Sequence, residues 1–398
     1  MNNKQRSLWI VIGLTTLNAV GMTIVFPLFP FLIGQYVPEA RVAAVLGGLV
    51  SIFAFCQFLA APLFGALSDR YGRKPILIIS LLGSAVGYFL LGIGGALWIL
   101  FLGRIIDGLT AGNQSALFAY IADVTEPDER SRWYGLLGGA IGVGFMIGPA
   151  IGGLLGAKSI TLPFFVTAGI TLFSVILTAV LVTESLPPEK RTAHLSIKNL
   201  NTFVHFKEIF SLPEARALLI VGAFFYIGLN IWQFNATLFL KDVFHWGPSL
   251  IGGIFVLIGI CDILSRVVLL PYLLKKCSER TLSMIGLLGL ATGTALICAS
   301  AQFPSAMLII VAVACIVLGE GLFDPSYNAR LSLSVAENKQ GQLQGVNQSL
   351  QALYHVLVPL GAAAIYTSSH GAVFGIASAL SLVALSIFAK LAAKPRVA

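Results

Sequence analysis

Apolar runs of about 20 residues, the length a helix needs to cross a bilayer, follow one another along almost the whole of this 398-residue chain. Divided at its short polar stretches and Pro/Gly punctuation, the sequence predicts twelve spans, starting near Leu8, Val42, Pro75, Leu97, Trp133, Leu162, Ala217, Ser249, Leu282, Ser305, Leu343 and Ala372. The polar start, Met1 to Arg6, leads into the first run with no small-residue cleavage site, so a retained span is expected and not a signal peptide. The longest polar stretch, about Glu184 to Glu214, carries charge of both signs and falls between the sixth and seventh spans. It separates an N-terminal six-helix half, 1–183, from a C-terminal six-helix half, 216–398, with a central loop at 184–215. Within that loop Leu200, Phe203, Val204 and Phe210 approximate one helical face, the pattern of an interfacial helix.

Composition agrees with an all-α membrane protein. Hydrophobic residues make up 57% of the chain and charged residues 11%, against roughly a quarter charged in soluble domains. By our count, 20 of the 25 Lys and Arg residues lie in the terminal segments and in loops after even-numbered spans. The opposite loops hold Arg41, Lys158 and Lys241, while Arg104 and Arg266 lie within spans. That asymmetry predicts cytoplasmic termini, and it makes the net charge of +8 a topological signal that needs no nucleic acid to explain it. Cys56, Cys261, Cys277, Cys298 and Cys315 show no metal-like or disulfide-framework spacing. No cofactor or metal is expected. No phosphate-binding loop of the Gly-x-x-x-x-Gly-Lys-Ser/Thr kind occurs, so ATP is not the expected energy source.

Between the second and third spans lies Gly65-Ala66-Leu67-Ser68-Asp69-Arg70-Tyr71-Gly72-Arg73-Lys74. Any cytoplasmic loop is basic, but this order of Gly, Asp, Arg, Gly, Arg and Lys resembles the signature of major facilitator superfamily transporters. The resemblance implies a major facilitator fold of twelve transmembrane helices in two pseudo-symmetric six-helix halves, with substrate near the midplane. The loop after the eighth span, Leu274 to Arg280, is a degenerate counterpart of the signature.

In the fifth span Gly144, Gly148, Gly152 and Gly156 recur every four residues around Pro149. Such a face lets another helix backbone approach closely. The stretch Gly144 to Gly153 also resembles the glycine-proline motif of drug/proton antiporters, and that resemblance adds Gly144, Gly148, Pro149 and Gly152 to the gating candidates. Ala96 to Arg104, Tyr120 to Asp123, Trp133 to Gly135 and Gly341 to Gly345 narrow the resemblance to the twelve-span tetracycline/proton antiporters. By that resemblance Gly65, Asp69, Arg70, Gly72 and Arg73 belong to a cytoplasmic gate, in a charge network with Asp123 and the start of the eleventh helix. Two departures bear on substrate: those antiporters carry aspartates where this chain has Asn18 and Gly87. An acidic residue of their ninth span is also missing here, near Gly289. The scaffold and gate carry over; the substrate chemistry does not.

Ionisable side chains at bilayer depth are functional candidates by default. Arg104 and Asp107, three apart in the fourth span, are expected to pair, and so are Asp262 and Arg266, four apart in the eighth. Arg104 occupies the position of the superfamily's fourth-helix arginine, often tied to proton coupling. Glu320 and Asp324, four apart in the tenth span, are like charges. Four acids thus face two bases, and at least one of Glu320 and Asp324 is expected to take up a proton near neutral pH. The proton-coupling candidates are therefore Glu320, Asp324, Asp262, Arg104 and Asp107. Competing possibilities are that Arg266 bridges to the tenth span, or that a cationic substrate supplies the missing charge.

Polar stripes at helical spacing run through the seventh span (Tyr226, Asn230, Gln233, Thr237) and the eleventh (Gln344, Gln348, Gln351, His355). Either a cavity or plain interhelical hydrogen bonding produces such stripes. Asn18, Tyr226, Asn230, Gln233, Phe234, Arg266, Tyr327, Gln348, Gln351 and His355 are taken as substrate-binding candidates. The expected function is proton-coupled export of small amphiphilic compounds, cationic ones included, by alternating access from a cell (inner) membrane, by a monomer. The alternatives are a carrier for a dedicated metabolite, sugar or lipid-linked substrate, and a non-transporting receptor or assembly protein. No nucleophile-base pair or metal-ligand set lies at one depth, so an enzyme is the least expected class.

Overall fold

A computed structural model describes residues 3–191, 204–336 and 339–391. All its regular structure there is helical, and eleven helices among the described residues are long and apolar enough to cross a membrane. The chain divides into two compact units, Met1–Leu200 with Trp246–Val256, and Asn201–His245 with Leu257–Ala398.

The first unit holds α1 (Asn3–Ile24), the short α2 (Phe29–Ile33), α3 (Glu39–Tyr71), α4 (Arg73–Ile93), α5 (Leu97–Leu109), α6 (Asn113–Val124), α7 (Pro127–Gly156) and α8 (Leu162–Leu181). A 3-10 turn at Phe26–Leu28, which contains Pro27, divides α1 from α2, and the first span runs through both, Ser7–Ile33. The fourth expected span is not one continuous helix. It is the pair α5 and α6, parted by Thr110, Ala111 and Gly112. Gly112 N turns back to donate to Thr110 O at 2.7 Å, interrupting the helical ladder. The glycines there admit neighbours from α3: a Cβ on Gly112 would run into the Phe64 side chain, and one on Gly108 would lie 2.7 Å from Phe53 O. Both pieces pack along α3 and α4.

The glycine face of α7 forms its seam with α1. A Cβ at Gly144 would lie 2.8 Å from Val20 N and one at Gly148 2.6 Å from Val20 O, while one at Gly152 would overlap Ile24 O. Thr23 Oγ1 also donates to Gly144 O at 2.8 Å across the seam. The close approach expected from the spacing is therefore to α1. Gly138 and Gly142, earlier on α7, face open space.

The second unit holds α9 (Val204–Phe210), α10 (Pro213–Asp242), most of the eighth span, α13 (Glu279–Ser300), α14 (Ala306–Ser332), α15 (Gln340–Ser368) and α16 (Ala372–Lys390). The eighth span comprises α11 (Pro248–Ile263), a π-helical turn at Leu264–Leu269, and α12 (Leu270–Leu274). Packing of α13 on α14 is backbone to backbone: a Cβ on Gly286 would lie 2.5 Å from Gly319 O, and one on Gly289 3.0 Å from Gly319 Cα. Of the expected interfacial helix, Leu200 and Phe203 lie outside the described residues. The described part, α9, buries Ile209 and packs on α10 and α15. Glu208 meets Lys339, just before α15, at 2.9 Å.

Candidate functional site

Three carboxylates and one guanidinium converge within the second unit. The π-helical turn sets this up, because its extra residue reorients the side chains that follow α11, a distortion frequent at functional sites. Ser265, fully buried, donates to Leu318 O on α14 at 2.9 Å and anchors the turn. Next to it, Arg266 Nε binds Asp262 Oδ1 at 2.6 Å, the pair expected from their spacing. The same guanidinium fans toward α14, with Nη2 3.7 Å from Glu320 Oε1 and Nη1 3.6 Å from Asp324 Oδ2. Arg266 thus bridges to the tenth span, and one positive charge serves three acids. These side chains remain 23% to 36% exposed, so the cluster is accessible and not sealed in the core.

Asp324 is further held from α10 and from its own helix. Tyr226 Oη donates to its Oδ1 at 2.6 Å, and Asn328 Nδ2 donates to the same atom at 3.0 Å. Beneath lies an aromatic stack, Phe225 on Phe323 at 3.8 Å and Phe323 on Tyr327 at 5.0 Å. Tyr327 is fully buried there, its hydroxyl over Gly222, so it belongs to the packing and not to the accessible face. Asn230 is buried too, donating to Tyr226 O at 2.8 Å, and Thr237 lies inside the unit. Gln233 is exposed and Phe234 half-buried. On α15, Gln348 and His355 are exposed and Gln351 is half-buried. The α10 stripe is thus divided between packing and an open face, while the α15 stripe stays largely open.

Arg104 and Asp107 form a separate pair in the first unit, at 3.0 Å. Both are buried; Ser84 donates to Asp107 at 2.7 Å, and the Arg104 guanidinium lies 3.8 Å from the Phe53 ring centroid. This pair is balanced, so the acid excess among the six residues falls in the second unit. Gly87 faces the pair: a Cβ there would lie 2.7 Å from Gly103 O and 2.9 Å from Asp107 Cβ. Asn18 lines a small cavity with Thr15, Asn113, Ser174 and Thr178.

The signature turn organises around Arg73. Its Nη1 binds Asp69 at 2.6 Å and its Nε binds Asp123 at 2.9 Å, while Ser185 donates to Asp123 at 2.9 Å. Arg70, expected to share the gate with Asp69, is instead exposed and lies 5.3 Å over the Tyr71 ring. Gly65 faces open space. Gly72 takes φ 104°, a left-handed value that favours glycine, and so lets α4 start immediately after α3. Glu184 was not foreseen as a functional residue. Its carboxylate accepts from the backbone N–H groups of Arg73 (2.8 Å) and Lys74 (3.2 Å), capping the positive end of α4.

The family model described as the Major Facilitator Superfamily matches residues 11–359. The class C tetracycline resistance protein of Escherichia coli is 34% identical over 389 residues, covering 95% of both chains. Multidrug resistance protein 2 of Bacillus subtilis is 28% identical over 90% of this chain and 88% of its own length. Among solved structures, the human organic anion transporter MFSD10 matches with a TM-score of 0.70 at 22% identity, covering 98% of this chain and 100% of its own. A D-xylose–proton symporter matches with a TM-score of 0.76 at 16% identity, covering 96% and 98%. At those identities the solved structures speak to the fold.

Proposed function

This chain belongs to the major facilitator superfamily, and from that premise we propose that it is a proton-coupled antiporter exporting small amphiphilic compounds, cations among them, by alternating access. One observation carries the reading: Asp262, Glu320 and Asp324 share the single guanidinium of Arg266 at an accessible site. With all three ionised, two negative charges lack a counter-ion, and an isolated charge in a low-dielectric site is costly. A proton or an organic cation relieves that excess. Because each removes the attraction for the other, loading protons releases substrate, which is the linkage an antiporter needs. The names of the relatives, tetracycline and multidrug resistance proteins, support export of drug-like molecules.

In this reading Glu320, Asp324 and Asp262 with Arg266 form the proton-coupling cluster, with Arg104 and Asp107 a second, more deeply held pair. Tyr226, Gln233, Phe234, Gln348, Gln351 and His355 contribute polar and aromatic surface for substrate, with buried Asn230 supporting Tyr226 from behind, and Asn18 contributes in the first unit. Asp69, Arg73 and Asp123 form the gate, with Arg70 at its exposed edge. The protein works as a monomer in the cell (inner) membrane with both termini cytoplasmic, and its halves are 1–183 and 216–398 around the loop at 184–215. The Lys/Arg distribution supports that orientation.

A dedicated metabolite carrier is the second reading, favoured by one observation. The third-span aspartate implied by the antiporter resemblance has no room at Gly87, whose Cβ position is filled by Gly103 O and Asp107. The test is uptake into everted membrane vesicles of tetracycline, ethidium and a metabolite panel under an imposed pH gradient. Accumulation of organic cations that nigericin abolishes supports export by antiport; uptake confined to one uncharged metabolite supports the dedicated carrier.

A further inference from the structure

Resting on the reading of this cluster as the coupling site, we propose that Tyr226, Asn328 and Asn347 are positioning residues that keep Asp324 a permanent anion, so that Glu320 is the carboxylate that takes up and releases the proton. The two acids of α14 sit one turn apart but in unlike surroundings. Asp324 Oδ1 accepts from Tyr226 Oη at 2.6 Å and Asn328 Nδ2 at 3.0 Å, and its Oδ2 faces Arg266 Nη1 at 3.6 Å. The Asn328 amide nitrogen only donates, so a proton on Oδ1 would displace it; Arg266 stands about as far from Asp324 as from Glu320 and does not tell them apart. Hydrogen bonds of this kind favour the charged carboxylate.

Asn328 cannot easily turn to offer its oxygen instead. Its Nδ2 also donates to Asp324 O at 2.9 Å, and its Oδ1 faces Asn347 Nδ2 on α15 at 3.4 Å. A flipped amide would set oxygen against two oxygens and nitrogen against nitrogen. Asn347, which is buried, therefore fixes the direction of the chain that ends on Asp324.

Glu320 lacks such a cage. Its nearest basic partner, Arg266 Nη2, lies 3.7 Å away, beyond hydrogen-bond reach. The charges facing it are Arg266 and Asp262 from the eighth span and Asp324 from its own helix. On the far side of α14, α13 presents Gly286 and Gly289 to the helix backbone. From α10 and α15, Tyr226 and Asn347 engage the Asp324 network. Asp262 is held by Arg266 Nε at 2.6 Å, so of the three acids Glu320 gives up least by taking a proton.

The experiment is binding of tetraphenylphosphonium to the purified full chain from pH 5.5 to 9, for wild type, Glu320→Gln, Asp324→Asn, Tyr226→Phe and Asn347→Leu. Expected for wild type is competition with one proton, affinity falling about tenfold per pH unit on the acid side. Glu320→Gln flattens that dependence. Tyr226→Phe and Asn347→Leu, by freeing Asp324 to titrate, steepen it toward about a hundredfold per unit. Wild-type pH dependence surviving in Glu320→Gln but vanishing in Asp324→Asn overturns the assignment while leaving the antiport reading intact. Unaltered slopes in Tyr226→Phe and Asn347→Leu overturn the positioning role. Wild-type binding that ignores pH contradicts the antiport reading itself, and this inference with it.

Discussion

Arg73, the first residue of α4, reaches back across Gly72 to hold Asp69 of α3 at 2.6 Å, and the same guanidinium holds Asp123 of α6 at 2.9 Å. One buried side chain thus joins three helices at the signature turn, with Ser68 accepting a further bond from it at 3.1 Å. The signature's second Gly-Arg step therefore serves this conformation more directly than its Asp-Arg step.

Replacing Arg73 with Ala leaves two carboxylates without their counter-ion, a loss of about 3–5 kcal/mol for a well-buried pair and less here because Asp69 is half exposed. Transport of ethidium into everted vesicles should fall at least tenfold, whereas Arg70→Ala should retain more than half of wild-type activity. Equal losses in the two variants contradict the assignment.

Glu184→Ala removes the cap on the first turn of α4. A lost cap of this type is worth about 0.5–2 kcal/mol, so the unfolding temperature in detergent should drop by a few degrees while substrate affinity holds. Glu184→Gln, which keeps an acceptor but not the charge, should lie between. A stability loss no greater than that of Glu189→Ala, an exposed glutamate of the same loop, argues against the cap.

The glycines of α7 should separate into two classes. Gly148→Ala forces a methyl to within 2.6 Å of Val20 O and should lower folded yield and stability clearly. Gly138→Ala and Gly142→Ala meet open space, and the helix-propensity gain of about 0.8–1 kcal/mol should leave them as stable as wild type or more so. Thermostability of detergent-solubilised variants reads this directly; uniform effects along the stripe contradict the α1 seam.

Gly87→Asp, which restores the aspartate implied by the tetracycline antiporter resemblance, should not create tetracycline efflux. The new carboxylate would crowd Gly103 O and stand against Asp107, disturbing the Arg104 pair. Reduced folded yield with no rise in tetracycline resistance is the expected outcome; a resistant variant of normal yield would show that the helices can part.

Much of this architecture was legible because bilayer-length apolar runs are set by lipid, a uniform solvent that imposes a simple pattern. Pairing within a helix was legible too: Arg104 with Asp107 and Asp262 with Arg266 follow from spacing alone. The break between α5 and α6 was not, because a glycine inside an apolar run reads as a packing site, and Gly112 is also one, its Cβ position filled by the Phe64 side chain of α3. The π-helical turn at Leu264–Leu269 leaves no mark in hydropathy, so the fan of Arg266 onto both acids of α14 stood only as one of several possibilities. Asn328 and Asn347 escaped notice because single amides in spans are common; only their alignment across α14 and α15 gives them meaning. Glu184 marks a loop boundary in the sequence, and the signal of its capping role is an acid just after the sixth span that can reach a basic helix start.

The central claim is that the second unit's acid excess drives exchange of substrate for protons, and proton movement in proteoliposomes tests it most directly. Addition of a transported cation should evoke proton flux in the wild type, and that flux should vanish in the Glu320→Gln/Asp324→Asn double variant. Substrate-evoked flux of undiminished size in the double variant, or substrate movement in the wild type with no proton flux at all, would contradict the account.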